Sequence, residues 1–326
     1  MILNYIIISF LLLTLTYAYY IYAIKTNILD TPSARSSHSI PTVRGGGIVF
    51  FMAVLLYFIW QFKIEFPFFL SGFLILSTIG FIDDKKDLSP KTRFPFQLLA
   101  IGLILYDAGL FSQNIPIVFQ ITGFIIAVGF INAFNFMDGI NGITGFYTLA
   151  IVLPLLFLNY EHPVFNNDFY YFVIIAIIVF GYFNFRKQAL MFAGDIGSMS
   201  LAAVILFWIA KTIIVLNSPI VLSFVVIYGV DSALTIMLRI KKKEKVFEAH
   251  RHHLYQKFVD VWKWSHLKVS FMYALSQILI SFFVLNLIQV KFIYQIIILA
   301  GTYILFSVLY LIFQNYFKKI TKNYLK

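Results

Sequence analysis

The stretch YYFVIIAIIVFGYF, residues 170–183, decides the fold. A strand of a membrane barrel would alternate apolar and polar residues over about 10 positions, and this stretch does not. It belongs to an uncharged run long enough to cross a bilayer core of about 30 Å as a helix, which takes roughly 17 to 25 residues. Similar runs recur along the whole chain, and they predict spans at 2–24, 46–62, 66–82, 94–110, 116–134, 143–159, 169–185, 196–216, 219–238, 268–289 and 292–313. The first run lacks a basic n-region and a small-residue cleavage site, so it reads as a permanent span and not as a signal peptide. The predicted fold class is all-α, a polytopic bundle of about 10 or 11 transmembrane helices. Residues 1–326 form one integral membrane domain.

Composition agrees. Of 326 residues, 61% are hydrophobic and only 12% charged, with a mean hydropathy of +0.87, whereas soluble chains carry about 25% charged residues. The absence of cysteine excludes disulfides, thiolate metal sites and cysteine nucleophiles. The net charge of +11 does not point to nucleic acid. Cytoplasmic loops of polytopic proteins carry the excess of Lys and Arg, and of the 25 such residues only Lys63, Lys211 and Lys291 fall on the outer side of the predicted spans. This places the N-terminus outside and the C-terminus in the cytoplasm. The tail KKITKNYLK adds basic residues beside the anionic inner leaflet, where each is worth about 1 kcal/mol.

The predicted outer turns are short. The inner loops, at about 31–47, 83–93, 132–145, 186–198 and 239–267, hold nearly all the polar chemistry. In FIDDKKD, Asp83, Asp84 and Asp87 follow an apolar run. They read either as a solvated turn paired with Lys85, Lys86, Lys91 and Arg93, or as ligands for magnesium or an attacking phosphate, since magnesium binds through one or two carboxylates plus substrate phosphates.

INAFNFMDGINGITG, residues 131–145, sets Asn132, Asn135, Asp138 and Asn141 at three-residue spacing, which brings successive members near one another on a helix. The interleaved Gly139, Gly142 and Gly145 break the helix and let backbone amides approach a ligand. Helix termination and small-residue packing alone give no reason for four polar side chains at one bilayer edge. In FAGDIGS, Asp195 reads as an N-cap or, with Asp83, Asp84 and Asp138 at similar depth, as part of an acid cluster that needs a cation.

EAHRHHL supplies His250, Arg251, His252 and His253. A zinc site or a basic juxtamembrane face would use such residues, but phosphate gripping fits better, because Arg binds phosphate bidentately and His donates or shuttles protons. Arg44 and Gly45–Gly47, preceded by His38, read on their own as a flexible lead-in to a helix. Asp231 lies about two turns inside the ninth span, where a charge is expensive unless paired; its role is open. Spans ten and eleven read as structural.

RGGG, DDKKD, NAFNFMDGINGITG, FAGDIGS and HRHH, in that order over roughly 31–253, resemble the polyprenyl-phosphate N-acetylhexosamine-1-phosphate transferases. That family includes the bacterial phospho-MurNAc-pentapeptide translocase and the enterobacterial undecaprenyl-phosphate GlcNAc-1-phosphate transferase. The resemblance implies transfer of a sugar 1-phosphate from a UDP-N-acetylhexosamine-type donor to undecaprenyl phosphate, with release of UMP. It implies Mg2+, with Mn2+ as a substitute, and a bacterial cytoplasmic membrane. Catalytic roles then fall to Asp83, Asp84, Asp138 and Asp195, with Asp83 engaging or deprotonating the lipid phosphate and Asp195 and Asp84 on the metal. Substrate binding falls to Arg44, Asn132, Asn135, Asn141, His250, Arg251, His252 and His253. One-step attack by the lipid phosphate and a two-step route through a covalent enzyme phosphate both suit these residues. The family's histidine loop often has a proline and an aspartate upstream where this chain reads KVFEAHRHHLYQ. That departure is similar to the O-antigen-initiating branch, which uses 6-deoxy-N-acetylhexosamines. The expected partners are these substrates and membrane lipids, with no nucleic acid; a homodimer is left open. The rival readings are a transporter or flippase, which would gather polar groups near the midplane, and a scaffold, which gives no reason to gather them at all.

Overall fold

The computed structural model describes residues 2–32, 40–245 and 251–324. In chain order the elements are α1 (Ile2–Lys25), β1 (Leu29–Asp30), β2 (Thr42–Val43), α2 (Ile48–Gln61), α3 (Pro67–Lys86), α4 (Pro90–Ala108), α5 (Ile117–Phe136), α6 (Ile143–Glu161) and α7 (Asn167–Asn184). Then come α8 (Gly194–Leu216), a 3-10 turn (Pro219–Val225) running into α9 (Val226–Lys241), α10 (Leu254–Asp260), α11 (His266–Leu285) and α12 (Phe292–Tyr324). The fold is the all-α bundle that the apolar runs predict.

Local chemistry sets the helix ends. Pro67 opens α3 and Pro90 opens α4, where the missing N–H costs nothing. The hydroxyl of Ser89 accepts from the amide of Thr92, and that of Ser265 caps α11. Gly109, at φ 97°, closes α4 in a conformation glycine adopts without strain.

Among the described residues nine helical segments are long and apolar enough to cross a membrane. The difference from the eleven predicted runs lies in α2 and α4. The first has 14 residues, about 21 Å at 1.5 Å per residue, and the second carries Lys91, Arg93 and the internal Pro95. α10 was not predicted, because its seven residues lie inside what reads as a loop. α12, with 33 residues, is about 50 Å long and outruns the predicted span.

The centre of the bundle is α3 against α4 and α8. Small residues let the backbones approach, as membrane helices require. A Cβ on Gly72 would strike the carbonyl of Ala100, one on Gly80 would strike the backbone of Asp195, and the hydroxyls of Ser77 and Ser200 lie 2.7 Å apart. Aromatic pairs fill the remainder, including Phe69 on Phe207 at 4.2 Å and Tyr57 on Phe169 at 4.5 Å.

At the end of the bundle where α3 finishes and α8 begins, β1 and β2 pair antiparallel, with Leu29 opposite Val43. The chain after β2 then runs along residues 191–193. The amide of Phe192 donates to the carbonyl of Val43 at 2.8 Å, and Gly46 and Gly47 donate to the carbonyls of Phe192 and Ala193 at 2.8 and 2.9 Å. The glycine run is therefore a packed clasp and not a flexible lead-in. A Cβ on Gly47 would sit 2.9 Å from the amide nitrogen of Gly197 and one on Gly197 would sit 2.7 Å from the Cα of Gly47, which explains glycine on both sides.

Candidate active site

Asp83 and Asp84 lie in the last turn of α3, and their neighbours divide their work. Asp84 has a side chain with no exposure. Its Oδ1 accepts from the amide of Asp195 at 2.8 Å and its Oδ2 from the amide of Ile196 at 3.0 Å, while Nε of Arg44 lies 2.8 Å from Oδ1. It thus caps α8 from another helix, where an anion meets the positive end of the helix dipole. Gly194, at φ 71°, permits this, because a Cβ there would fall on the Asp84 carboxylate. Both oxygens of Asp84, expected on the metal, are committed.

Asp83 accepts from the amide of Leu88 and pairs with Arg93, the guanidinium in the first turn of α4. The same Nη1 of Arg93 reaches Oδ2 of Asp195 at 3.1 Å. Oδ1 of Asp195 accepts from the side-chain amide of Asn135 at 2.8 Å, and that amide also donates to Ser198 at 2.9 Å. Nη2 of Arg44 lies 3.7 Å from Asp195, and its Nη1 meets the exposed Asp87 at 2.9 Å. Burial opposes the charge of Arg44, but Asp84 and Asp195 outweigh it and push its pKa further up. Of the three central carboxylates, Asp195 is the most open, with 18% of its side chain exposed.

Asp138 stands in the loop after α5, half-buried, and accepts from the hydroxyl of Thr144. Burial pushes its carboxyl up to about 6, against the pull of the Thr144 hydrogen bond, and Asp195 adds to the rise. Asn132 and Asn141 do something other than line this cluster. The amide of Asn132 donates back to the carbonyl of Val128 in its own helix at 2.8 Å. Asn141, 4% exposed, donates to the carbonyls of Arg186 and Lys187 at 2.9 and 3.3 Å, and its own carbonyl accepts from Ser270. Asn141 is a clasp between loops. Its partner in that role, Asn184, accepts from the amide of Gly142 at 2.7 Å and donates to Met191.

The histidine loop meets the segment that carries Asp138 through Tyr255. His250 lies outside the described residues. Arg251 forms a bidentate pair with Asp260, at 3.1 and 2.7 Å. Nε2 of His252 lies 3.1 Å from Glu244; burial lowers its pKa while Glu244 works the other way. His253 is buried at the N-cap of α10, with Nδ1 3.1 Å from Oδ1 of Asp231. Tyr255, in the next turn, donates to the carbonyl of Phe136 at 3.3 Å and fills the space beside Gly139. Burial first, then Asp231 and Asp138, raise its pKa, so it stays a donor. α10 therefore docks on the loop that carries Asp138. Arg93 and Tyr255 carry the connections that the sequence reading did not assign to the site. The signal for Arg93 was its place one turn after the Ser89–Pro90 helix start.

Asp83, Asp84, Asp138 and Asp195, when ionised, face two guanidiniums, those of Arg44 and Arg93, and this leaves two negative charges uncompensated. Among the described residues no three carboxylates or imidazoles converge on one point. A hard divalent cation held by one or two carboxylates plus substrate phosphates fits this oxygen donor set.

A buried acid and arginine cluster at one end of an apolar bundle is the setting of phosphoryl chemistry at a membrane surface, and the comparisons agree. Glycosyl transferase family 4 matches residues 66–214. The chain belongs to the polyprenyl-phosphate N-acetylhexosamine-1-phosphate transferases and is a multi-pass membrane protein. It is 30% identical over 247 residues to the phospho-N-acetylmuramoyl-pentapeptide-transferase of Streptococcus agalactiae serotype Ia, covering 64% of this chain and 70% of the relative. It is 27% identical to the undecaprenyl-phosphate alpha-N-acetylglucosaminyl 1-phosphate transferase of Thermotoga maritima, covering 77% of this chain and 80% of the relative. The probable undecaprenyl-phosphate N-acetylglucosaminyl 1-phosphate transferase of Bacillus subtilis is 25% identical, with 73% and 71% covered.

Proposed function

We propose that the protein transfers a sugar 1-phosphate from a UDP-N-acetylhexosamine, or its 6-deoxy counterpart, to undecaprenyl phosphate and releases UMP. The step would initiate O-antigen or another cell-envelope polysaccharide, at the cytoplasmic face of the bacterial inner membrane. The observation that carries the reading is the cluster in which Arg93 joins Asp83 to Asp195 and Asn135 holds the other oxygen of Asp195. A cavity of about 310 Å³ opens between α5 and the span formed by the 3-10 turn and α9, lined by Phe130, Phe134, Val225, Tyr228 and Ile236. Its apolar walls suit a polyprenyl chain.

An oxygen of the lipid phosphate attacks the phosphorus that bears the sugar; the bond from that phosphorus to the bridging oxygen breaks, and UMP leaves. Asp83, fixed by Arg93 and the Leu88 amide, orients the incoming phosphate and takes its proton. Arg44 and Arg93 offset the charge gathered on the phosphates. Asp195 and Asp138 would hold Mg2+, or Mn2+ in its place, which supplies charge neutralisation across the diphosphate. Asp84 keeps the start of α8, and with it Asp195, in place.

The test is UMP release by the purified protein with undecaprenyl phosphate, magnesium and a panel of UDP-N-acetylhexosamines that includes 6-deoxy sugars. Asp83→Asn and Asp195→Asn are expected to lower kcat by more than about 10²-fold, the scale of a lost acid–base or electrostatic group, in protein that stays folded. Rates near wild type in both variants would overturn the site. A failure of every donor would overturn the reaction.

A further inference from the structure

Asp231 is a carboxylate 2% exposed, inside the span formed by the 3-10 turn and α9. Burying an unpaired charge there would cost several kcal/mol, and its surroundings show how that cost is met. Oδ1 receives the amide of Leu254 at 3.1 Å, the hydroxyl of Thr235 at 3.2 Å and Nδ1 of His253 at 3.1 Å; Oδ2 receives the hydroxyl of Tyr273 at 2.7 Å. These groups come from four places in the fold: α9 itself, the N-cap residue His253, the first residue of α10, and α11.

All but the His253 bond have a fixed direction. The Leu254 amide can only donate. Nε2 of Gln314 in α12 donates to Tyr310 at 2.9 Å, Tyr310 lies 2.7 Å from Thr235, and Thr235 passes a hydrogen on to Asp231. Tyr273 donates as well. Every neighbour but His253 donates, so a neutral carboxylic acid would have to give its hydrogen to Nδ1, whereas an ionised one takes the hydrogen from it. The same Gln314 amide donates to the carbonyl of His252 at 3.0 Å, so two helices that read as structural hold the histidine loop from behind.

We infer that Asp231 is the positioning residue of this site: it fixes His253 in the Nδ1–H form and caps α10. The loop thereby stands with Tyr255 against the Asp138 segment. A carboxylate behind an imidazole sets tautomer and ring direction in metal and hydrolase sites alike; here it does so from within a membrane span. The inference rests on the transferase reading for its activity arm alone.

The experiment uses the full chain in lipid nanodiscs, with wild type, Asp231→Asn, Asp231→Glu, Tyr273→Phe, His253→Gln and the Asp231→Asn/His253→Gln double variant. Nitrogen-15 spectra of the histidine rings, with His253 assigned by its loss in His253→Gln, are expected to show the Nδ1–H form in wild type and its loss in Asp231→Asn. In the UMP-release assay, Asp231→Asn is expected to lower kcat about 10- to 100-fold, the scale for groups that orient a functional histidine. Asp231→Glu should recover part of it, and His253→Gln should add little to Asp231→Asn. A wild-type ring protonated at Nε2 alone, or additive effects of the two substitutions, would overturn the inference. If Asp231→Asn does not fold, the wild-type spectrum and the smaller change in Tyr273→Phe decide. If no donor supports transfer, the proposed reaction fails while the ring spectra still decide the role of Asp231.

Discussion

Asp83 and Asp84 are adjacent in sequence and differ in every contact. One faces a guanidinium that also touches Asp195, and the other is spent on two backbone amides and Arg44. Adjacent carboxylates at a helix end look alike in a sequence, because what separates them is the tertiary partner that each meets. For the same reason the three-residue spacing of Asn132, Asn135, Asp138 and Asn141 suggested one polar face, whereas Asn132 bonds back to its own helix and the chain, leaving the helix at Phe136, carries Asn141 to the carbonyls of Arg186 and Lys187. Asp138 gives the sharpest prediction at this scale. Burial pushes its carboxyl up to about 6, and the Thr144 hydroxyl favours its ionised form. If ionised Asp138 is the working state, kcat/KM rises with pH through a limb near 6. Thr144→Val removes the bond that favours the carboxylate and should move that limb to higher pH; a limb that stays put in the pH–rate profile would separate Asp138 from the rate.

At the scale of elements, the order of the five polar loops was legible, since charged and glycine-rich stretches stand out against apolar runs. What was not legible is how the loops meet. The clasp between residues 44–47 and 191–197 rests on backbone bonds and on contact between Gly47 and Gly197. Backbone pairing between distant segments leaves no pattern of side chains to read. Gly47→Ala is expected to push α2 from α8, to lower stability by about 1–3 kcal/mol, as overpacking does, and to reduce transfer because Arg44 moves with the clasp. Thermal unfolding in detergent beside the UMP assay measures both, and an unchanged midpoint would mean that the two backbones can yield.

For the whole molecule, hydropathy located the apolar helices and missed where they shorten, change helix type or run on past the predicted span. Pro95 and the charges of α4, the short α2 and the 3-10 start of the ninth span follow from packing among neighbours, which a window average does not see. The orientation proposed from Lys and Arg can be checked with single cysteines, because the natural chain has none. In vesicles of known sidedness, a membrane-impermeant maleimide should label Lys187→Cys from the cytoplasmic side and Lys291→Cys from the opposite side; both positions are exposed. Labelling of both from one side would reverse the topology.

α12 is about 50 Å long and, over its most apolar stretch, only 6% of its positions are buried. Such a helix answers mainly to the lipid around it, and a helix longer than the hydrocarbon core tilts when the bilayer thins. Because its Gln314 holds the carbonyl of His252, such a tilt would pull on the histidine loop. The last helix is thus a lever whose long arm lies in the membrane and whose short arm ends beside the chemistry.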